Sequence, residues 1–259
     1  MQPRRQTLPI LLLVKTAFQL FWQQRDDALR LGLIPTLLVF GGFLYGADAL
    51  MVFLATAPEA AMSELQAAYA PRAMVLSLLV LVAICLVTVN WLRFLLLGPM
   101  GAVGVGLTIG RPHVGFLGAT LVIGLAFMAA LTACGFVLGL LPPAAALLGN
   151  LVAIAAAMVT AMRFVPFLVG KAIGQPLTLG QSWAVSRGNA MPIAISLVLA
   201  QLPFLVGLTL LQQILDLIGF SSLAPAGTLF IVSVVQVADW IVQAGVLATA
   251  YRHIVGVRV

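Results

Sequence analysis

Uninterrupted apolar length constrains this chain more than any motif in it. The run VLSLLVLVAICLVTV sits inside an apolar segment spanning about 73–97, and five more segments resemble it, at about 31–56, 114–141, 143–169, 191–218 and 226–251. Each reaches the ~20 residues that a helix needs to cross hydrocarbon. In lipid every backbone polar group must be paired within the protein, which leaves helices or a closed barrel. Barrel strands alternate apolar and polar residues, and these runs do not alternate. Only 8% of the residues are charged, against about 25% in soluble domains. The expected fold is therefore all-α, a polytopic transmembrane helix bundle of six spans.

The first 30 residues form a separate N-terminal segment. MQPRRQ resembles the start of a signal peptide, but Lys15 breaks the apolar run and no small-residue cleavage site follows. Residues 8–22 are apolar and too short to span. With Phe18, Phe21 and Trp22 near their end, they are expected to form a helix lying in the cytoplasmic interface. Residues 31–259 make up the six-span domain. Gly42 and Gly46 give a GxxxG spacing that lets another helix approach closely. The glycine-rich stretch 98–110 lacks the Lys-Ser/Thr of a phosphate loop, so it reads as an interfacial connector rather than a re-entrant or phosphate-binding loop. In the joint after the fourth span, Thr178 is placed to cap a short helix whose Leu179 and Trp183 share one face.

Charge fixes the expected orientation. Arg4, Arg5, Lys15, Arg25 and Arg30 precede the first span. Arg93 and Arg111 flank the second joint. Arg163, Lys171 and Arg187 mark the fourth, and Arg252 and Arg258 lie in the tail. Twelve of the thirteen cations fall on one side, with Arg72 alone opposite. Cationic joints stay in the cytoplasm, so both termini are expected inside. The net charge of +6 does not indicate nucleic acid, because the cations are scattered and form no basic stripe with interleaved aromatics. The lipid bilayer is the expected partner, along with other membrane proteins or lipids.

Asp239 is the one acid near the middle of a span. A charge there costs roughly 3 kcal/mol or more, which makes such a residue a functional candidate. Ser233, Gln236, Asp239 and Gln243 recur at helical spacing as a polar stripe. The stripe either lines a proton or solute pathway or locks neighbouring helices together. Arg93 and Arg163 are the candidate partners of Asp239, offset from it along the membrane by roughly 9 Å at ~1.5 Å per residue. Asn90, Asn150 and Gln201 are expected to bond neighbouring helices. Cys85 and Cys134 lie in apolar runs and read as small core residues. His113 and His253 have no metal-ligand spacing, and neither His-Glu-x-x-His nor Gly-x-Ser-x-Gly occurs. No catalytic constellation, cofactor or metal is expected.

Two short patterns resemble a family. Trp91, Arg93 and Leu96-Leu97-Gly98 close the second span. Arg163, Pro166 and then Ser182-Trp183, Ser186-Arg187-Gly188-Asn189 surround the central joint. Together they resemble uncharacterised bacterial six-helix inner-membrane proteins related to the membrane domain attached to some glycerophosphoryl diester phosphodiesterases. The resemblance implies the six-helix fold and a bacterial inner membrane, and brings no established activity. The phosphodiesterase chemistry belongs to a soluble domain that the chain outside the spans is too short to build. Pro99 and Gly180-Gln181 stand where that family leads one to expect acids, so the ion pairs such acids imply do not carry over. The sequence thus points to a non-enzymatic membrane component that organises or assists others, or alternatively to a transporter or channel for a small solute or lipid.

Overall fold

The computed structural model describes residues 8–54, 59–99, 109–138, 140, 142–175 and 177–256. Most of the glycine-rich stretch 98–110 lies outside them, as do Arg4, Arg5 and Arg258. The described chain is all helix: α1 (Ile10–Gln23), α2 (Arg25–Leu54), α3 (Glu59–Leu97), α4 (Arg111–Leu138), α5 (Pro143–Met162), α6 (Val165–Ile173), α7 (Leu179–Val185), α8 (Ala190–Leu217), α9 (Phe220–Leu223) and α10 (Pro225–Val255). Six stretches are long and apolar enough to cross a membrane: Arg25–Gly46, Tyr69–Leu97, Arg111–Leu138, Leu147–Ile173, Ala190–Leu217 and Pro225–Val255. The chain is a multi-pass membrane protein.

Three boundaries differ from the sequence reading. The first spanning helix begins at Arg25 rather than near 31, because Asp26 and Asp27 occupy its first turn, where the positive end of the helix dipole favours carboxylates. The joint expected at 57–72 is helical from Glu59 onward, since its Ala, Glu, Gln and Leu residues are strong helix formers. The fourth span, expected as one rod over 143–169, is instead two helices, α5 and α6, with a break at Arg163 and Phe164.

α10 is the hub of the bundle. It packs against α1, α2, α3, α6, α8 and α9, and buries Ala244, Gly245, Ala248 and Ala250 along with Val242 and Tyr251. Lipid removes the hydrophobic drive between helices, so association relies on close packing and interhelical hydrogen bonds, both of which small residues permit. A Cβ on Gly245 would stand 3.3 Å from the Ala17 Cβ of α1. α2 and α3 form the tightest hairpin. There Gly46 faces the Arg72 carbonyl and the Leu76 Cβ, each 3.0 Å from where its own Cβ would stand, and Gly42 faces the Leu76 side chain at the same distance. The GxxxG spacing is thus a helix–helix contact.

The N-terminal helix α1 is held against the bundle rather than only resting beside it. Leu13 and Ala17 are buried, and Phe18 stacks on Phe204 of α8 with centroids 5.9 Å apart. Its other face, with Leu11, Leu12 and Trp22, is exposed.

α4 and α5 behave differently. Only His113, Phe116 and Ala119 of α4 are buried, all within its first three turns. The rest of α4 is half-buried or exposed, and the α4–α5 hairpin meets α3, α6 and α8.

Candidate functional site

The break between α5 and α6 is built by two residues. Pro166 has no N–H to give to the preceding turn. One residue later, the Phe167 N–H donates to the Ser182 Oγ at 3.1 Å, and that hydroxyl donates to the Arg163 carbonyl at 2.8 Å. The pair Phe167 N–H and Arg163 C=O is the ordinary i to i−4 rung of a helix. Ser182, from another helix, is inserted into it. Side-chain insertion into the ladder is an established cause of sharp kinks. The Ser186 hydroxyl donates to the same carbonyl at 3.1 Å.

α7 is set up to deliver that hydroxyl. Thr178 caps it as the sequence indicates: its Oγ1 accepts from the Gln181 N–H at 3.2 Å, and Gln181 Oε1 accepts from the Thr178 N–H at 2.8 Å. This is a reciprocal capping box, in which Gln replaces Glu without loss of the acceptor. Gln181 stands where the family resemblance leads one to expect an acid nearby. Trp183 lies under the Arg163 guanidinium, 4.3 Å from carbon to ring centroid, with Phe164 alongside at 5.8 Å. Gly188 takes a positive φ of 86° in the turn after α7, and the Asn189 Oδ1 accepts from the Leu8 N–H at 3.2 Å. Arg187 is exposed. The central joint is therefore a set of backbone clamps that fixes a broken span and the start of α1.

The other pattern has the same character. Trp91 is buried and stacks on Phe94 at 5.3 Å. Gly98 stops α3 with a φ of 82°. Arg93 Nη1 donates to the Ala172 carbonyl in the last turn of α6 at 3.2 Å, and Arg252 Nη2 donates to the Leu95 carbonyl in the last turn of α3. Carbonyls in a last helical turn lack intrahelical partners and carry the negative end of the dipole, so a cation there is favourable.

Neither Arg93 nor Arg163 pairs with Asp239. The acid is 4% exposed; its Oδ2 accepts from Gln243 Nε2 at 2.8 Å, while its Oδ1 has no hydrogen-bond partner among the described residues. Ser233 is buried and its hydroxyl bonds back to the Leu229 carbonyl at 2.7 Å; Gln236 and Gln243 are half-buried. Along α10 the stripe is bonded only in part, Gln243 to Asp239 and Ser233 to the Leu229 carbonyl, and not through the arginines, which hold a helix-end carbonyl and the Trp183 ring.

Asn90 does bond a neighbouring helix. Its Oδ1 lies 3.2 Å from His113 Nε2, and His113 Nδ1 accepts from the Gly110 N–H at 3.3 Å. The Gly110 donor fixes the tautomer: Nε2 carries the hydrogen and gives it to Asn90. Cys85 adds a third tie by donating to the His113 carbonyl at 3.4 Å. His113 is thus a buried cross-link between α3 and α4, a role its position near a span end did not signal. Asn150 and Gln201 are exposed, contrary to the expectation that they bond neighbours. Cys134 is exposed rather than in the core. Among the described residues no group of three His, Cys, Asp or Glu side chains is placed to hold a metal.

A groove of about 670 Å³ opens between α4 and α5. It is floored near its base by Phe164, Phe167 and Lys171, and it reaches Leu179 of α7. None of Ser233, Gln236, Asp239 or Gln243 lines it.

No family model matches the chain, and no curated protein or solved structure does.

Proposed function

We propose that this protein is an accessory component of a bacterial inner membrane, with both termini in the cytoplasm, that organises or assists other membrane components and carries out no chemistry of its own. The supporting observation is how the polar residues are used. Ser182, Ser186, Asn189, Asn90, His113, Arg93 and Arg252 each bond backbone or another side chain across helices. Residues used this way rigidify a bundle. The resemblance of the two short motifs to the six-helix inner-membrane family supports the inner-membrane placement. The cation asymmetry favours the cytoplasmic placement of Lys171 and Arg187. Single cysteines at Lys171 and Glu59, treated with a membrane-impermeant thiol reagent in intact cells, test the orientation. The Glu59 position is expected to label and the Lys171 position to stay protected until the membrane is opened.

One observation favours the second reading, a pathway for a proton or small solute: Asp239 Oδ1 is buried and unpartnered among the described residues. Asp239→Asn separates the two. In proteoliposomes carrying a pH-sensitive dye, the accessory reading expects the variant and the parent to show the same proton leak, with thermal stability changed by less than about 1 kcal/mol because the Gln243 amide can still donate. A leak present in the parent and abolished in Asp239→Asn establishes the pathway instead.

A further inference from the structure

The α4–α5 groove is shaped by what its walls lack. α4 contributes Ala126 and Ala130, and α5 contributes Ala153 and Ala157. Small residues in membrane helices ordinarily serve close contact with a second helix. Gly118 does not: it lines the groove, and a Cβ built on it would meet nothing within 4 Å. Along α4 the groove extends from Val114 to Cys134, about 30 Å at ~1.5 Å per residue. Its volume spread over that length gives about 22 Å² for the positions a water's centre can take, which with a ~1.4 Å radius added on each side is a slot roughly 8 Å across, against the ~10 Å diameter of a helix. It runs along the spans rather than across them, so it suits a polymethylene chain and is a tight fit for another protein helix.

Its charge is as one-sided as its shape. Among the described residues that line it Lys171 is the single charged one, and none is a carboxylate. Lys171 sits at the base of the hairpin, its Cδ 3.9 Å from where a Gly115 Cβ would stand and its Nζ 5.4 Å from the centroid of the Phe167 ring. That end is where α4 begins, and the exposed Leu179 of α7 also lines the groove. A cation at the mouth of an apolar slot is the complement of an amphiphile with an anionic head.

We propose that the α4–α5 groove holds an acyl chain of an anionic phospholipid whose phosphate is met by Lys171. The inference rests on the membrane-spanning character of the six helices and not on the accessory role, so either can fail without the other.

The test is retention of lipid by the purified, delipidated protein. Phosphatidylglycerol or phosphatidylcholine of equal chain length is added back in detergent, and native mass spectrometry counts the lipids kept. The parent is expected to keep one phosphatidylglycerol in preference to phosphatidylcholine by about fivefold, the size of one lysine's attraction to an anionic headgroup. Lys171→Gln is expected to lose that preference while still keeping lipid. Gly118→Leu, which grows into open space, is expected to lose retention of both lipids, and Ala157→Leu repeats the block from the α5 wall should the first variant not fold. Leu125→Ala, on an α4 residue that is 70% exposed and outside the groove, is expected to behave as the parent. Unchanged retention in a folded Gly118→Leu or Ala157→Leu protein overturns the proposal, as does an unchanged headgroup preference in Lys171→Gln. A second copy or another protein, displaced by Gly118→Leu in place of lipid, overturns it too.

Discussion

Ser182→Ala is expected to destabilise the protein by about 2 kcal/mol, and to do so without changing any apolar contact. The hydroxyl it removes is fully buried and serves two backbone groups of the α5–α6 break. The Arg163 carbonyl keeps a bond from Ser186. The Phe167 N–H keeps nothing. An orphaned buried donor costs about 1–3 kcal/mol, more than the ~0.6 kcal/mol typical of a lateral side-chain bond between membrane helices. The double variant Ser182→Ala with Ser186→Ala strips the carbonyl as well, and should cost more than the sum of the two single changes, because each hydroxyl covers for the other there. Reversible unfolding in mixed micelles, followed by tryptophan fluorescence, measures both quantities. A Ser182→Ala protein as stable as its parent would mean that the rung closes on itself and that the serine is not what holds the break open.

The second large effect is expected at Gly170. A Cβ there would stand 2.6 Å from the Gln175 carbonyl oxygen and 3.4 Å from the Leu177 nitrogen, both backbone atoms. The chain folds back over Gly170 because the Gln175 N–H bonds the Gly170 carbonyl at 2.9 Å, with Gly174 at a φ of 77° ending α6. This is the six-to-one bond of a Schellman ending. Gly170→Ala forces that turn apart and with it the Ala172 carbonyl that Arg93 holds. Overpacking against backbone puts the cost at about 2–3 kcal/mol. Gly118→Ala is the internal contrast. With nothing near its added methyl, it is expected to be neutral or to stabilise by up to ~1 kcal/mol, since alanine is the better helix former. Thermal aggregation midpoints of the two variants, compared side by side, check the difference in sign.

The number and approximate places of the six spans were legible because apolar length is a one-dimensional signal. The Thr178 cap was legible for the same reason: a capping box is spelled within four residues. The α5–α6 break was only half legible. Pro166 announces a weak rung, but its repair by Ser182 links residues that sequence spacing does not pair. Asp239 was singled out correctly as the buried acid, whereas its supposed partners were not: both arginines are taken by helix-end carbonyls or an aromatic face, and backbone acceptors leave no trace in side-chain identity. The same blindness hid His113, whose partners are a backbone N–H and an amide on another helix. The open groove was invisible because alanine and glycine read alike whether they admit a neighbouring helix or a void.

The bond between the Leu8 N–H and Asn189 spans 181 residues. During synthesis Leu8 therefore leaves the ribosome long before its docking place has been made. Until the turn after α7 emerges, α1 has neither that acceptor nor α8 and α10 to cover Leu13 and Ala17, and must wait at the membrane surface. Its seating is among the later acts of assembly, which makes α1 a report on whether α10 has arrived.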